Sequence, residues 1–242
     1  MAKAHLYNSR IGKVRWFVER FGARELFLKP LRSIFAPLII STLKARSFRF
    51  EGVDLPLLYH PYNMTWASER CVEVPIVQSY TRKFRPEKTL EVGNVLAHYV
   101  QVQHDVVDKF EKAPGVINED VVAFRGRMPY DLIVSISTFE HIGFDDESSG
   151  RSAEKILEAI RHCRQLLSEE GLLVITVPMG YNPELNSVIA ASELQASKET
   201  YLKKQTAREW VECTKDDALR REYKRPHPYA NAILVAQFRS LR

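Results

Sequence analysis

The stretch Thr89–Phe110, "TLEVGNVLAHYVQVQHDVVDKF", decides how the rest of the chain is read. It opens with an apolar strand, "TLEV", that runs into Gly93, as the first strand and turn of a nucleotide-type binding fold do. It then proceeds without the further glycines such a turn carries. The connection to the next apolar run, "HDVVD", is short, with space for about two helical turns at most. The span from there to "GVIN" leaves no room for a full helix.

Downstream, short apolar runs alternate with helical patterns: "YDLIVSIS", the helix "SAEKILEAIRHCRQLLSEEG", then "LLVITVP". In that helix Ile156, Leu157, Ile160, Cys163, Leu166 and Leu167 make the buried face, with Gly171 as C-cap. Continuous β-branched runs joined by helices predict an α/β, Rossmann-like fold: a mostly parallel sheet with helices on both faces. The tail adds "EWVECT", a short helix "DDALRREY", and a last, antiparallel strand "NAILVAQF" (Asn231–Phe238). Upstream, Phe48–Tyr59 reads as a hairpin turning near Glu51–Asp54. "YNMTWASERCVEVPIVQSY" reads as a helix capped by Asn63 or Thr65 and ended or kinked at Pro75.

The charge is uneven. The 242 residues carry 35 Lys/Arg against 30 Asp/Glu, a formal +5. Residues 1–50 hold 11 of those bases and only Glu19 and Glu25, so +9; the remainder, 24 bases against 28 acids, is −4. We therefore divide the chain into a basic helical extension, residues 1–47, and an α/β domain, residues 48–242. The acidic balance of the domain speaks against nucleic acid as a partner. Within the extension, Val14, Phe17, Val18 and Phe21 form one apolar stripe, and Leu31, Ile34, Phe35, Leu38 and Ile39 another. Interleaved with Arg15, Arg20, Arg24, Lys29 and Arg32, residues 10–44 suit an anionic membrane surface. The same stripes also suit packing on the domain or on a second copy in a homo-oligomer, since apolar stripes are more often core than membrane anchor.

Cys71, Cys163 and Cys213 are far apart and form no CxxC pair, which fits buried or idle thiols in a reducing cytoplasm. No signal peptide is evident, and the apolar run "SIFAPLII", interrupted by Pro37, falls short of the ~20 residues of a membrane span. The expected location is cytoplasmic, at most peripheral to the inner face of a membrane.

In a doubly wound sheet, ligands bind beyond the carboxyl ends of the strands. Those ends carry Glu91, Gly93 and Asn94, then Asp105 and Asp108, then Asn118–Asp120, then "SISTFEHIG" and "PMGYNPE". The ordered series "LEVG", "VVD", "NED", "YDLIVSISTFEHIG" and "EEGLLVITVP" resembles the motifs of class I S-adenosylmethionine-dependent methyltransferases. The chain also looks like a narrower methyltransferase-like group sharing "EVGNVL-HY" and "VSIST-EHIG", over about Phe48 to Phe238. The resemblance implies S-adenosylmethionine as cofactor, with Asp108 on the ribose hydroxyls and Asp120 facing the adenine amino group. It implies Glu91 and Gly93 at the methionine end, Asn94 accommodating a left-handed backbone in place of a missing glycine, and Ser137, Thr138 and Glu140 in the loop that closes on cofactor and acceptor.

A hydroxyl acceptor must lose a proton, and His141 is the first candidate base, ahead of His98 and His104, with Glu140 orienting it. Tyr62, Asn63, Tyr181 and Asn182 are candidate contacts for a small-molecule or glycan acceptor, through stacking and hydrogen bonds. The leading expectation is an O-methyltransferase, its acceptor small, glycan-type or lipid-linked. Two alternatives stay open: a non-catalytic binding or scaffold protein on the same fold, and an enzyme using a divalent metal held among His98, His104, Asp105, Asp108, Glu140 and His141. No fixed-spacing metal motif favours the latter.

Overall fold

The computed structural model describes Val18 and residues 23–127, 129–143 and 153–241. It runs as helix α1 (Ala23–Thr42), hairpin strands β1 (Ser47–Phe50) and β2 (Val53–Pro56), and helix α2 (Arg70–Thr81). Strands β3 (Thr89–Val92), β4 (Asp105–Val107), β5 (Val116–Ile117) and β6 (Tyr130–Ile136) come next, followed by α3 (Glu154–Leu166) and β7 (Leu167–Pro178). The chain finishes with α4 (Pro183–Ala190), β8 (Lys198–Thr206), β9 (Glu209–Cys213), α5 (Lys215–Leu219) and β10 (Ala232–Arg239).

One eight-stranded sheet has the order β5-β4-β3-β6-β7-β10-β8-β9. The pairs β3/β4, β3/β6, β4/β5 and β6/β7 are parallel, whereas β10 lies antiparallel between β7 and β8. This is the Rossmann-like sheet that the apolar runs predict, with the antiparallel last strand. Each central strand is apolar on both sides because both faces are covered. Ile133, Leu173 and Ile175 join Ile156 and Ile160 of α3 on one face. Leu132, Val134 and Val174 join Val72, Ile76 and Val77 of α2, with Phe48 and Phe50, on the other. Each such fully buried side chain contributes about 1.5–3 kcal/mol before the entropy of ordering is counted.

Several local expectations are corrected. Residues 93–104 hold a single 3-10 turn, Leu96–His98, and no two-turn helix. The segment Tyr62–Met64 is also a 3-10 turn, with Asn63 and Met64 at φ 45° and 59°, so neither Asn63 nor Thr65 caps α2, which starts at Arg70. Pro75 does not end α2. A proline there leaves the Cys71 carbonyl without its helical donor, and the Leu58 N–H, from the end of the hairpin, bonds that carbonyl at 2.9 Å. Gly171 is not a left-handed C-cap: it lies inside β7, where a Cβ would come 2.8 Å from the Tyr130 carbonyl oxygen.

The extension also differs from its sequence reading. Helix α1 includes both Pro30 and Pro37. Its inner stripe is Ala36, fully buried, with Ile39, Ile40 and Leu43 half-buried, while Leu31, Ile34, Phe35 and Leu38 are exposed. The helix meets the 3-10 turn at Tyr62–Met64, where the Ser33 hydroxyl lies 3.9 Å from the Met64 sulfur. Val14, Phe17 and Phe21 of the first stripe, with Arg15 and Arg20, lie outside the described residues. No helix among the described residues is long and apolar enough to cross a membrane.

Candidate functional site

The sheet reverses its order between β3 and β6, and the carboxyl ends of these two strands open a crevice. A cavity of about 350 Å³ occupies it, lined by Gly93, Asp108, Asp120, Thr138 and His141 among others. Val92, Val107, Val121 and Ile142 supply apolar walls. A smaller cavity of about 170 Å³ adjoins it, sharing Gly93, Asp108, Glu111 and Thr138 and adding Tyr62, Asn63, Arg70, Asn94 and His98.

Gly93 sits at φ +86°, and a Cβ there would run into the hydroxyl and methyl of Thr138. Thr138 is itself fixed, its hydroxyl donating to the Ile136 carbonyl at 3.1 Å. Only glycine fits between the two strand ends. Asn94 does not share the left-handed backbone expected of it; among described residues of this turn the positive φ belongs to Gly93. The remaining glycines of such a loop are replaced by a carboxylate. Buried Glu91 accepts the N–H groups of Val95 and Leu96 at 2.9 and 2.8 Å through one oxygen. Its other oxygen lies 2.9 Å from His104 Nε2. Glu91 thus braces the turn and is not among the residues lining either cavity, which corrects its expected contact with the cofactor.

Asp108 is a second brace. One of its oxygens accepts the Asn94 N–H at 2.9 Å, the other the N–H groups of Phe110 and Glu111 at 2.8 Å each. Asn118 ties the same turn by donating to the carbonyls of Asp108 and Lys109. Asn94 Nδ2 donates to Glu111 at 2.8 Å, while Asn94 Oδ1 is buried without a partner beside the smaller cavity. Asp120 accepts the Val122 N–H at 3.1 Å and pairs with Lys109 at 3.0 Å.

The loop after β6 rests on two buried acids. Ser137, at φ 41°, donates its hydroxyl to the Glu73 carboxylate at 2.7 Å and lines neither cavity. Burial pushes the Glu73 carboxyl up, with Arg70, 3.7 Å away, pulling against it. Arg70 also donates to the carbonyl of Ile136 at 3.1 Å. Burial likewise pushes Glu140 up to about 7, opposed by the neighbouring His141. Glu140 Oε1 lies 3.5 Å from His141 Nε2, and Glu140 Oε2 is buried without a hydrogen-bond partner. His141 Nδ1 lies 3.2 Å from the Tyr181 hydroxyl, so the ring stands between a carboxylate and a phenol at the cavity wall.

Asn182 is moved from acceptor contact to scaffold. It caps α4 by accepting from the Glu184 and Leu185 N–H groups, and its amide donates to the Glu140 carbonyl at 2.9 Å. Tyr62 and Asn63 do line the smaller cavity, where Tyr62 stacks on His98 at 4.3 Å. The proposed metal set is not assembled: His104 turns to Glu91, His98 to Glu111 and His141 to Glu140. Among the described residues no three His, Cys, Asp or Glu side chains gather as a metal site. The residues that sequence reading missed are Glu73 and Glu111. Glu73 had a signal, since a lone carboxylate inside "CVEVPIV" occupies a helix that is apolar all round.

The order and direction of the strands are those of a Rossmann-like sheet with an antiparallel last strand. No protein-family model matches the chain, and no curated protein matches it in sequence. Among solved structures it is similar to the N-methyltransferase NodS of Bradyrhizobium japonicum in complex with S-adenosylhomocysteine. That likeness has 14% identity over 72% of this chain and 88% of that one, with a TM-score of 0.45. A TehB-like S-adenosylmethionine-dependent methyltransferase of Corynebacterium glutamicum is similar at 17% identity over 69% of this chain and 86% of that one, TM-score 0.39.

Proposed function

We propose that the protein is an S-adenosylmethionine-dependent methyltransferase acting on a hydroxyl of a small-molecule or glycan acceptor. The observation that carries this reading is the crevice at the switch point, where Gly93 alone leaves space against Thr138 and the apolar walls Val92, Val107, Val121 and Ile142 stand beside Asp108, Glu111, Asp120 and His141. When bound, the cofactor supplies an electrophilic methyl carbon. Val92, Val107, Val121 and Ile142 would hold a flat base. Asp108 and Glu111 would accept ribose hydroxyls, and Asp120 the amino group of the base. Asn94 Oδ1 is an acceptor awaiting a donor. His141 would take the acceptor's proton, with Glu140 holding the ring and the Tyr181 hydroxyl marking where the acceptor hydroxyl approaches.

A second reading, a binding protein that keeps the fold without the chemistry, draws on one observation: both Asp108 oxygens already accept backbone N–H groups. Calorimetry with S-adenosylhomocysteine separates the two. The methyltransferase reading expects a Kd on the order of micromolar, weakened about tenfold by Glu111→Gln, a substitution that leaves the Asp108 brace intact. Failure of S-adenosylmethionine and S-adenosylhomocysteine to bind the wild-type chain would sink it.

A further inference from the structure

The face of α1 turned away from the domain has no counterpart in the chemistry above. Leu31, Ile34, Phe35 and Leu38 are 48, 71, 52 and 65% exposed, and they follow the spacing of one helical stripe. Large apolar side chains gathered in this way mark a surface that meets something. The charge of this part of the sequence narrows what that is. Residues 23–46 carry Arg24, Lys29, Arg32, Lys44 and Arg46 against Glu25, and the first 50 residues hold a net +9 while the rest of the chain is −4. An apolar stripe within a strongly basic segment complements an anionic bilayer, whose headgroups attract the bases while its interior takes the side chains. A second copy of this chain would bring the same positive charge against it.

We infer that α1 docks the protein on an anionic lipid surface through Leu31, Ile34, Phe35 and Leu38. The inner stripe of the helix rests on the Tyr62–Met64 turn, and Tyr62 and Asn63 of that turn wall the smaller cavity. Docking therefore sets that cavity beside the membrane. On the methyl-transfer reading, this favours an acceptor carried at a lipid surface.

The test is flotation of the full chain with vesicles of phosphatidylcholine containing phosphatidylglycerol, with pure phosphatidylcholine vesicles in parallel. The wild-type chain floats with the anionic vesicles and not with the neutral ones, and raised salt weakens the binding. Ile34→Ser/Leu38→Ser, at two exposed positions, lowers binding roughly tenfold or more. An unchanged melting temperature shows that the variant is folded; a partner substitution, Phe35→Ser, serves if it is not. Three results would overturn the inference: no flotation of the wild-type chain, equal flotation of the folded variants, or a dimer in sedimentation velocity that the same substitutions break while vesicles bind neither form. Vesicle binding needs no cofactor, so its failure leaves the methyl-transfer reading standing.

Discussion

The turn after β3 and the turn after β6 meet at Gly93 and Thr138, yet they are held in opposite ways. The first is fastened by Glu91 and Asp108, which accept the backbone N–H groups of Asn94, Val95 and Leu96, Asp108 also accepting those of Phe110 and Glu111 in the turn after β4. The second stands on Glu73 and Glu140, whose carboxyls burial pushes up and whose main partners are side chains. Burial pushes Glu73 and Glu140 up because the charged form of a carboxyl loses its water there. The first arrangement makes a fixed cradle, and the second makes a group that can exchange a proton near neutral pH.

The largest effect that tests this contrast is Gly93→Ala. The new Cβ meets Thr138 in a left-handed backbone, and affinity for S-adenosylhomocysteine should fall on the order of a hundredfold by calorimetry. Adding Thr138→Ala removes the two closest atoms of the collision and should restore part of the loss; normal binding by the single variant would show that the cradle is not the binding surface. Next is Glu91→Gln, which weakens two charge-assisted bonds to the turn and the contact to His104. We expect about 1–3 kcal/mol lost in denaturant unfolding, with binding impaired as a consequence. An unaltered midpoint would mean that the turn holds itself.

A third effect is on pH dependence. The folded chain raises the Glu140 carboxyl from 4.5 to about 7, so it binds this proton more tightly than the unfolded chain does. The resulting stability is complete below the unfolded value and is lost as pH rises through about 7. The melting temperature should therefore decline across that window, and Glu140→Gln should lessen the decline, with the share of Glu73 remaining. A profile rising with pH over the same range, or one unaffected by the substitution, would contradict the assignment.

Much of this molecule was legible before its structure. The central strands announce themselves because both faces of the sheet are covered, so "YDLIVSI" and "LLVITVP" are apolar throughout. The hairpin is marked by Glu51–Gly52, whose left-handed backbone suits a tight reversal. Strand β8 was not foreseen, since "KETYLKKQT" reads as a solvated run and becomes a strand by pairing between β10 and β9. Helix α4 was also missed, although Asn182 followed by Pro183 is a helix-start signal.

The acids divide along the same line. Local pattern places Glu91, Asp108, Asp120 and Glu140 at strand ends, where a Rossmann-like sheet binds ligands. Which of them face a cavity depends on donors elsewhere in the fold: the amides of Val95 and Leu96 claim Glu91, and the Ser137 hydroxyl claims Glu73. For α1, the sequence by itself determined a basic segment with apolar residues at helical spacing. Only the tertiary structure decided which stripe turns inward, because that rests on a turn far along the chain, where Met64 meets Ser33. Periodicity counts apolar positions around a helix, but the surface a helix packs on belongs to other residues.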